Sequence, residues 1–166
     1  MRFIMKRNAG IGLKCQRGFT LIEMITTVAI LGIVTGIAWS YYQSQDAQGY
    51  RSEAIIALTT LAQLEERYMN DNGSYANTIA ALNPPSSVIT AADKTPKGMY
   101  QLTLSIPAGA NCTATVNNNK TRYYCYTLTA TAINAQAQHD TSCATFTLDQ
   151  TGKRGSTGGG TDCWAK

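Results

Sequence analysis

The stretch Gly18-Phe19-Thr20-Leu21-Ile22-Glu23 opens an apolar segment that runs to Trp39. Between residues 19 and 39 the only formally charged residue is Glu23. A helix of this length can cross a hydrocarbon core about 30 Å thick. A carboxylate near the bilayer centre costs about 2.5 kcal/mol or more, so it is normally kept for a function and given a partner. The sequence therefore predicts a membrane-length helix with a functional carboxylate near its start.

The basic charge of the chain is concentrated before this segment. The sequence has fourteen Lys and Arg residues against ten Asp and Glu, a net charge of +4. Residues 1–18 hold five of the basic residues and no acidic one, so residues 19–166 are close to neutral. A general electrostatic attraction of the remaining chain to nucleic acid is therefore not expected. The basic cluster is expected to stay cytoplasmic, which directs the C-terminal part outward.

The order of these segments differs from that of an ordinary secretory signal peptide, whose cleavage site follows its apolar region. Here the basic segment ends at Arg17-Gly18, and the apolar run comes after the glycine. Cleavage after Gly18 would therefore leave the apolar helix on the mature protein.

The string from Arg17 to Met24 resembles the processing and assembly signature of type IV pilins and type II secretion pseudopilins. The resemblance implies that a prepilin peptidase cuts between Gly18 and Phe19 and that the new amine of Phe19 is methylated. It also implies that Glu23 serves subunit assembly through the N-terminal amine of a neighbouring subunit. Pairing a buried ammonium with a carboxylate offsets part of the desolvation cost of each. The alternative is that Glu23 simply lies hydrated at the membrane interface.

The expected organisation is a leader peptide at residues 1–18, a transmembrane and filament-core helix at 19–42, and a globular head at 43–166. Gly32 and Gly36 have the small-xxx-small spacing that lets helices approach closely, and they can equally loosen the helix. Ser40 stands where many members of this family carry a proline, so a proline kink is not predicted here.

The helix is predicted to continue into the head as an amphipathic segment up to about Met69. Ile55 and Ile56 lie off the apolar stripe, so they either widen the core or contact another subunit. The sequence 70–73, Asn-Asp-Asn-Gly, predicts the helix end. The stripe that should pack on the rest of the head consists of Ala54, Ala57, Leu58, Leu61, Leu64 and Tyr68.

The C-terminal half changes to the alternation of period two that is typical of strands. Residues 74–98 are predicted to be an irregular loop, and 151–160 a turn followed by a flexible glycine-rich loop. Three strands and a short fourth one indicate an antiparallel sheet covered by the helix, an α+β pilin fold. The strands are expected in residues 100–106, 124–130 and 144–148, with the fourth near Cys163-Trp164.

The cysteines indicate an exported domain with disulfides. Cys15 belongs to the expected leader, which leaves Cys112, Cys125, Cys143 and Cys163. Three pairings are formally possible. We favour the pairs 112–125 and 143–163 because each closes a local loop. A four-cysteine zinc site is disfavoured because no two of these cysteines are close in sequence, and neither a metal nor a cofactor is predicted.

No arrangement of residues indicates an enzyme. The single histidine, His139, lies in a polar segment that is expected to be exposed. Glu65 and Glu66 are adjacent on a helix and therefore point in different directions, which makes a poor acid and base pair. The chain is interpreted as a structural subunit.

The segment from Leu64 to Tyr75 and the closing Cys163-Trp164 look similar to minor pilins of Gram-negative type IV pili. The resemblance implies that the precursor resides in the inner membrane with its head in the periplasm, and later in an extracellular filament. Implied partners are other pilins, prepilin peptidase and the inner-membrane assembly machinery. Implied roles are pilus biogenesis, twitching motility, adhesion or DNA uptake.

Two alternatives remain. The first is a type II secretion pseudopilin, although only Asp149 and Asp162 are available for the acidic calcium site that is typical of its principal subunit. The second is an adhesive or DNA-binding tip subunit, which would use exposed basic residues and nearby tyrosines. A contiguous basic and aromatic patch would favour nucleic acid, and a dispersed one would favour filament packing. The basic residues in question are Lys120, Arg122, Lys153 and Arg154.

Overall fold

The structure is a computed structural model that describes residues 18–109, 111–116 and 120–165. Residues 1–17, most of the expected leader with Cys15, lie outside the described residues. The chain divides into two compact units, one ending at Ser40 and the other beginning at Tyr41.

One long helix, α1, spans Leu21–Asn72. At its start the hydroxyl of Thr20 accepts a hydrogen bond from the backbone N–H of Glu23 (3.3 Å), which satisfies one of the free donors of the first turn. At its end Gly73 has a positive φ of 64°, and its N–H donates to the carbonyl of Met69. The predicted helix end is therefore confirmed, because glycine takes the left-handed conformation without a Cβ clash. The backbone is helical through Gly32 and Gly36.

The first unit presents an apolar surface. Its segment Leu21–Ala38 is long and apolar enough to cross a membrane, by length and composition, and is unburied within the structure. The side chains that face outward are Leu21, Ile22, Met24, Ile25, Val28, Ile30, Leu31, Ile33, Val34 and Ile37.

The strands of the second unit are β1 Tyr100–Ser105, β2 Thr113–Val116, β3 Lys120–Tyr123, β4 Thr127–Ala132, β5 Thr145–Asp149 and β6 Arg154–Thr157. Within the described residues they form two antiparallel sheets. The larger sheet has the strand order β1-β4-β5-β6, and the smaller one is the hairpin β2–β3. A 3-10 helix at Ile79–Leu82 lies between α1 and β1, whereas α2 at Asn134–His139 and a 3-10 turn at Thr141–Cys143 connect β4 to β5.

The core lies between α1 and the inner face of the larger sheet. Alternate residues of the strands face inward, as the register pairs Leu102 with Ala130 and Ala130 with Phe146. Ile55 packs partly against this core, whereas Ile56 is 54% exposed. The α+β architecture with a helix on an antiparallel sheet is confirmed. The fully buried residues of the predicted stripe are Ala54, Ala57, Leu58 and Leu61.

The prediction of a fourth strand near Cys163-Trp164 is wrong. The fourth strand of the larger sheet is β6, because the chain reverses directly after β5 and pairs with it. The carboxylate of Asp149 holds this reversal by accepting hydrogen bonds from Thr151 and from the N–H of Lys153. The predicted turn at Thr151-Gly152 is confirmed, whereas the flexible loop predicted for residues 155–160 is wrong over residues 155–157, which belong to β6.

The glycine in β6 explains why this strand was predicted to be a loop. A Cβ at Gly155 would come within 2.5 Å of the Thr147 hydroxyl on the neighbouring strand, so a larger residue would require the Thr147 side chain to move. Glycine in a strand also weakens the sequence pattern by which strands are predicted. Two other boundaries also differ from prediction. The middle strand begins at Thr127 rather than Tyr124, and residues 74–98 contain the 3-10 helix at Ile79–Leu82.

Candidate functional site

The predicted processing and assembly residues lie directly before α1 and in its first turn. Gly18 and Phe19 precede α1 and are exposed, Phe19 to 76%. Glu23 is in the first turn of α1 and is also exposed. All three are therefore open to a group from outside the chain.

The four cysteines of the second unit form two disulfides in the structure. Cys112 is joined to Cys125 and Cys143 to Cys163, with Cα atoms 4.8 and 5.6 Å apart. The first bond closes the base of the β2–β3 hairpin, where the N–H of Tyr124 also donates to the carbonyl of Cys112 (2.9 Å). The hairpin is therefore closed covalently and by the backbone at the same level.

The hairpin is attached to the segment that follows α1. The N–H of Tyr75 donates to the carbonyl of Tyr123 (2.8 Å), and the N–H of Tyr123 donates to the hydroxyl of Ser74 (2.8 Å). The guanidinium of Arg122 lies over Gly73, directly beyond the end of α1. The last turn of α1 has no basic residue, so Arg122 supplies the cation that stabilises a helix C-terminus.

The basic residues predicted for nucleic acid are divided between two sheets. Lys120 and Arg122 belong to β3, whereas Lys153 precedes β6 and Arg154 begins it. The guanidinium of Arg154 stacks over the ring of Trp164, 5.1 Å from its centroid. The four residues therefore do not share one element, and Arg122 precedes the exposed Tyr124 by two residues.

The C-terminal segment is fixed onto the larger sheet. The indole N–H of Trp164 donates to the carbonyl of Gly155 (2.8 Å), and its ring contacts Phe146 edge to face. Gly160 packs where a Cβ would lie 2.9 Å from the Cys163 sulfur. The Cys143–Cys163 disulfide and the tryptophan thus hold the same segment from two sides.

A buried polar network was not foreseen from the sequence. The Nε and Nη2 atoms of Arg51 each lie 2.5 Å from a carboxylate oxygen of Asp140, and the Gln136 amide donates to the same carboxylate (2.7 Å). The hydrogen bond to Asp140 raises the pKa of the guanidinium of Arg51. Arg51 and Asp140 are 89 residues apart, so no local pattern signals the pair.

The adjacent glutamates of α1 have opposite environments. Glu65 is 0% exposed, whereas Glu66 is exposed and accepts a hydrogen bond from the Tyr75 hydroxyl (3.0 Å). Burial raises the pKa of Glu65 to about 7, against the hydrogen bond from Ala76 that lowers it. The predicted divergence of the two carboxylates is confirmed, but the burial of Glu65 was not foreseen. His139 lies exposed at the end of α2.

Two family models match the chain. Residues 13–39 match the prokaryotic N-terminal methylation motif. Residues 40–147 match the family described as type IV minor pilin ComP, DNA uptake sequence receptor.

Curated relatives are pilins and fimbrial proteins. The chain is 33% identical over 107 residues to the type IV major pilin protein PilE1 of Neisseria gonorrhoeae, which covers 63% of this chain and 54% of that protein. It is 31% identical over 117 residues to the fimbrial protein EcpC of Eikenella corrodens, covering 58% of this chain and 76% of that protein. The chain spans about half the length of the Neisseria pilins that it matches.

Among solved structures, a type IV pilin from Shewanella oneidensis is 24% identical, with a TM-score of 0.44, and covers 72% of this chain and 99% of that one. The family assignment rests on the sequence matches. The minor pilin model extends over more than half of the sequence, directly behind the methylation motif. The chain therefore belongs to the type IV minor pilin family.

Proposed function

We propose that the chain is a minor subunit of a type IV pilus, made as a prepilin and assembled through α1. The observation that carries this proposal is the exposed apolar surface of Leu21–Ala38, directly behind the methylation motif. Exposed apolar surface of this extent marks a membrane or protein contact. A bilayer covers it before assembly, and the helices of neighbouring subunits cover it in the filament.

Processing creates the partner for the intramembrane carboxylate. Prepilin peptidase cuts between Gly18 and Phe19, and the new amine of Phe19 is methylated. In the filament this ammonium pairs with Glu23 of a neighbouring subunit, because two unpaired charges in a low dielectric would each cost several kcal/mol. Glu23 thereby sets the axial position of an incoming subunit.

The remaining features follow from this route. The precursor sits in the inner membrane with residues 43–166 in the periplasm, where the two disulfides form. Other pilins and the inner-membrane assembly machinery are its partners, and the subunit has no catalytic role. The relatives described above are pilins and fimbrial proteins, which favours a pilus subunit over a secretion pseudopilin.

The proposal is tested by mass spectrometry of the full chain isolated from cells with and without prepilin peptidase. We expect a chain that begins at Phe19 and carries one extra methyl group, and this species should be absent without the peptidase. Gly18→Leu should retain the leader, whereas Gly32→Leu, which changes a glycine inside α1, should be processed normally. A chain that begins at another residue in cells with the peptidase would exclude this processing route.

A second candidate function is a DNA receptor. The matched family is described by that activity, and Arg122 and the exposed Tyr124 both lie in the anchored loop that the Cys112–Cys125 disulfide closes. A guanidinium can contact phosphate and a tyrosine can stack on a base or sugar. The surface is small and the head is nearly neutral, so binding would depend on these few contacts.

This candidate is tested by fluorescence anisotropy with duplex DNA and the full chain in detergent micelles. Arg122→Ala should weaken binding and reduce the slope of log affinity against log salt by about 1, whereas Arg122→Lys should keep the salt dependence. Lys153→Ala removes one positive charge from the other sheet and serves as the matched control. Equal affinities for Arg122→Ala, Lys153→Ala and the wild type would argue against the hairpin as the contact.

A further inference from the structure

Glu65 occupies a core position of α1. It follows Leu61 by one helical turn on the stripe that begins at Ala54, and like those residues it is 0% exposed. An apolar side chain is the ordinary occupant of such a position. A carboxyl group at this place needs a polar partner, since an unpaired buried polar group costs free energy.

Only one of the two carboxyl oxygens of Glu65 has a hydrogen-bond partner in the structure. Its Oε2 accepts a hydrogen bond from the backbone N–H of Ala76 (2.8 Å). Its Oε1 is buried and accepts none, the one such side-chain atom in the described part of the chain. Glu65 therefore fixes the segment after α1 through one bond while one of its oxygens stays unsatisfied.

This single bond is connected to the hairpin. Ala76 follows Ser74 and Tyr75, which hold Tyr123 of β3 by two hydrogen bonds of 2.8 Å. A shift of residues 74–76 therefore changes the support of β3. The covalent closure at Cys112–Cys125 makes the hairpin respond as one body.

The groups that surround Glu65 do not neutralise it. Glu66 on the same helix is acidic, and Tyr75 from the following segment stacks edge to face on Tyr126, ring centroids 4.8 Å apart. Both tyrosines are neutral at physiological pH, and burial raises their pKa further above the ordinary value of 10. Asp149 on β5 adds a further negative charge near Tyr126. Within the described residues Glu65 has no ion-pair partner.

We propose that Glu65 is a positioning residue that couples pH to the placement of the β2–β3 hairpin through residues 74–76. In the neutral form the carboxyl packs in the core and the segment stays closed. In the ionised form the buried charge beside Glu66 is relieved when residues 74–76 open and water reaches Oε1. Only the consequence for DNA rests on the proposed receptor function.

Proton linkage gives the direction in which pH shifts the equilibrium between the closed and open forms. The closed form has a Glu65 pKa of about 7 and the hydrated carboxyl one of 4.5, so the closed form holds the proton more tightly. Raising the pH from 6 to 8 should therefore shift the equilibrium towards the open form about tenfold. Above pH 8 the shift levels off, because Glu65 is then ionised in both forms.

Hydrogen–deuterium exchange of the full chain in detergent micelles tests this at pH 6, 7 and 8, after correction for the chemical exchange rate. In the wild type the opening of peptides that contain residues 74–76 and 120–125 should increase about tenfold between pH 6 and 8. Glu65→Gln and Glu65→Leu are neutral at every pH and should remove the increase. Glu53→Gln is the matched control, since it removes a carboxylate of the same helix whose ion-pair partner is Lys97, and it should keep the increase.

The outcomes separate this inference from the proposed receptor function. A wild type without the pH-dependent increase would overturn the inference, as would an increase that persists in either Glu65 variant that folds. Duplex DNA affinity measured at constant ionic strength should be lower at pH 8 than at pH 6 in the wild type and unchanged in Glu65→Gln. If opening depends on pH but no DNA binds, the role of Glu65 is supported and the receptor function is rejected. If DNA binds but opening is independent of pH, the receptor function is supported and the role of Glu65 is rejected.

Discussion

Arg51 of α1 is bound through two nitrogens, each at 2.5 Å, to the buried carboxylate of Asp140. The bond joins α1 to the segment after α2, and the amide of Gln136 shares the same carboxylate. Removing Arg51 would leave the carboxylate of Asp140 buried without a counter-charge. The packing of α1 against the segment after α2 therefore depends on this ion pair.

Arg51→Ala should destabilise the head by about 3 kcal/mol, because it leaves the buried carboxylate of Asp140 without its cation. The free energy of unfolding is measured with denaturant on the full chain in micelles. Glu53→Ala is the control, since it breaks the more exposed contact of Glu53 with Lys97 (3.5 Å) and should cost less than about 1 kcal/mol. Similar losses of unfolding free energy in the two variants would show that the Arg51–Asp140 pair stabilises the head no more than the exposed pair does.

Replacing Cys143 and Cys163 together by serine should lower the free energy of unfolding by about 3 kcal/mol in the chain-entropy model of a closed loop. The local readout is Trp164, whose indole should lose its hydrogen bond to Gly155 as the segment loosens. Trp164 fluorescence, compared in a Trp39→Phe background, reports this change. The serine variant of Cys112 and Cys125 should be destabilised without changing that emission.

Glu65→Gln should change the pH dependence of global stability. The pKa of Glu65 is raised from 4.5 to about 7 in the folded state, so its contribution to stability is largest below pH 4.5 and falls as pH rises to about 7. Relative to the wild type, the variant should therefore gain about 2.5 kcal/mol between pH 5 and pH 8. Denaturant unfolding at the two pH values measures the difference. A variant whose advantage is the same at both values would show that ionisation of Glu65 is not linked to folding.

Glu23→Ala should be cleaved and methylated normally but should be depleted at least about tenfold from sheared filaments, because the ammonium of a neighbouring subunit loses its counter-charge. Quantitative mass spectrometry of sheared pili beside the membrane fraction measures this depletion. Glu66→Ala, which removes an exposed carboxylate of the same helix, should be incorporated like the wild type. Normal incorporation of Glu23→Ala would remove its assembly role.

The sequence allowed prediction of the long helix, its end at Asn72 and much of its buried stripe, because these depend on local periodicity and on one glycine. It did not allow prediction of β6. That strand is short, and its Gly155 is a residue type that local patterns associate with turns and loops rather than with strands.

The polar interior was equally hidden. An acid next to Leu64 on a helix reads as an exposed residue, and only the backbone of Ala76 explains why Glu65 is tolerated inside. Arg51 and Asp140 meet through the fold, so neither residue carries a signal by itself. Local sequence patterns therefore could not predict these contacts between distant segments.

The indole of Trp164 has a consequence for the terminal strand of the larger sheet. Within the described part of the chain, strand β6 lies at an edge of this sheet, with a neighbouring strand on one side only. Trp164 donates to the carbonyl of Gly155 in β6 and packs on Phe146 of β5, so one side chain contacts both strands. The C-terminal segment thereby clamps the edge strand to its neighbour, in addition to the hydrogen bonds of the sheet itself.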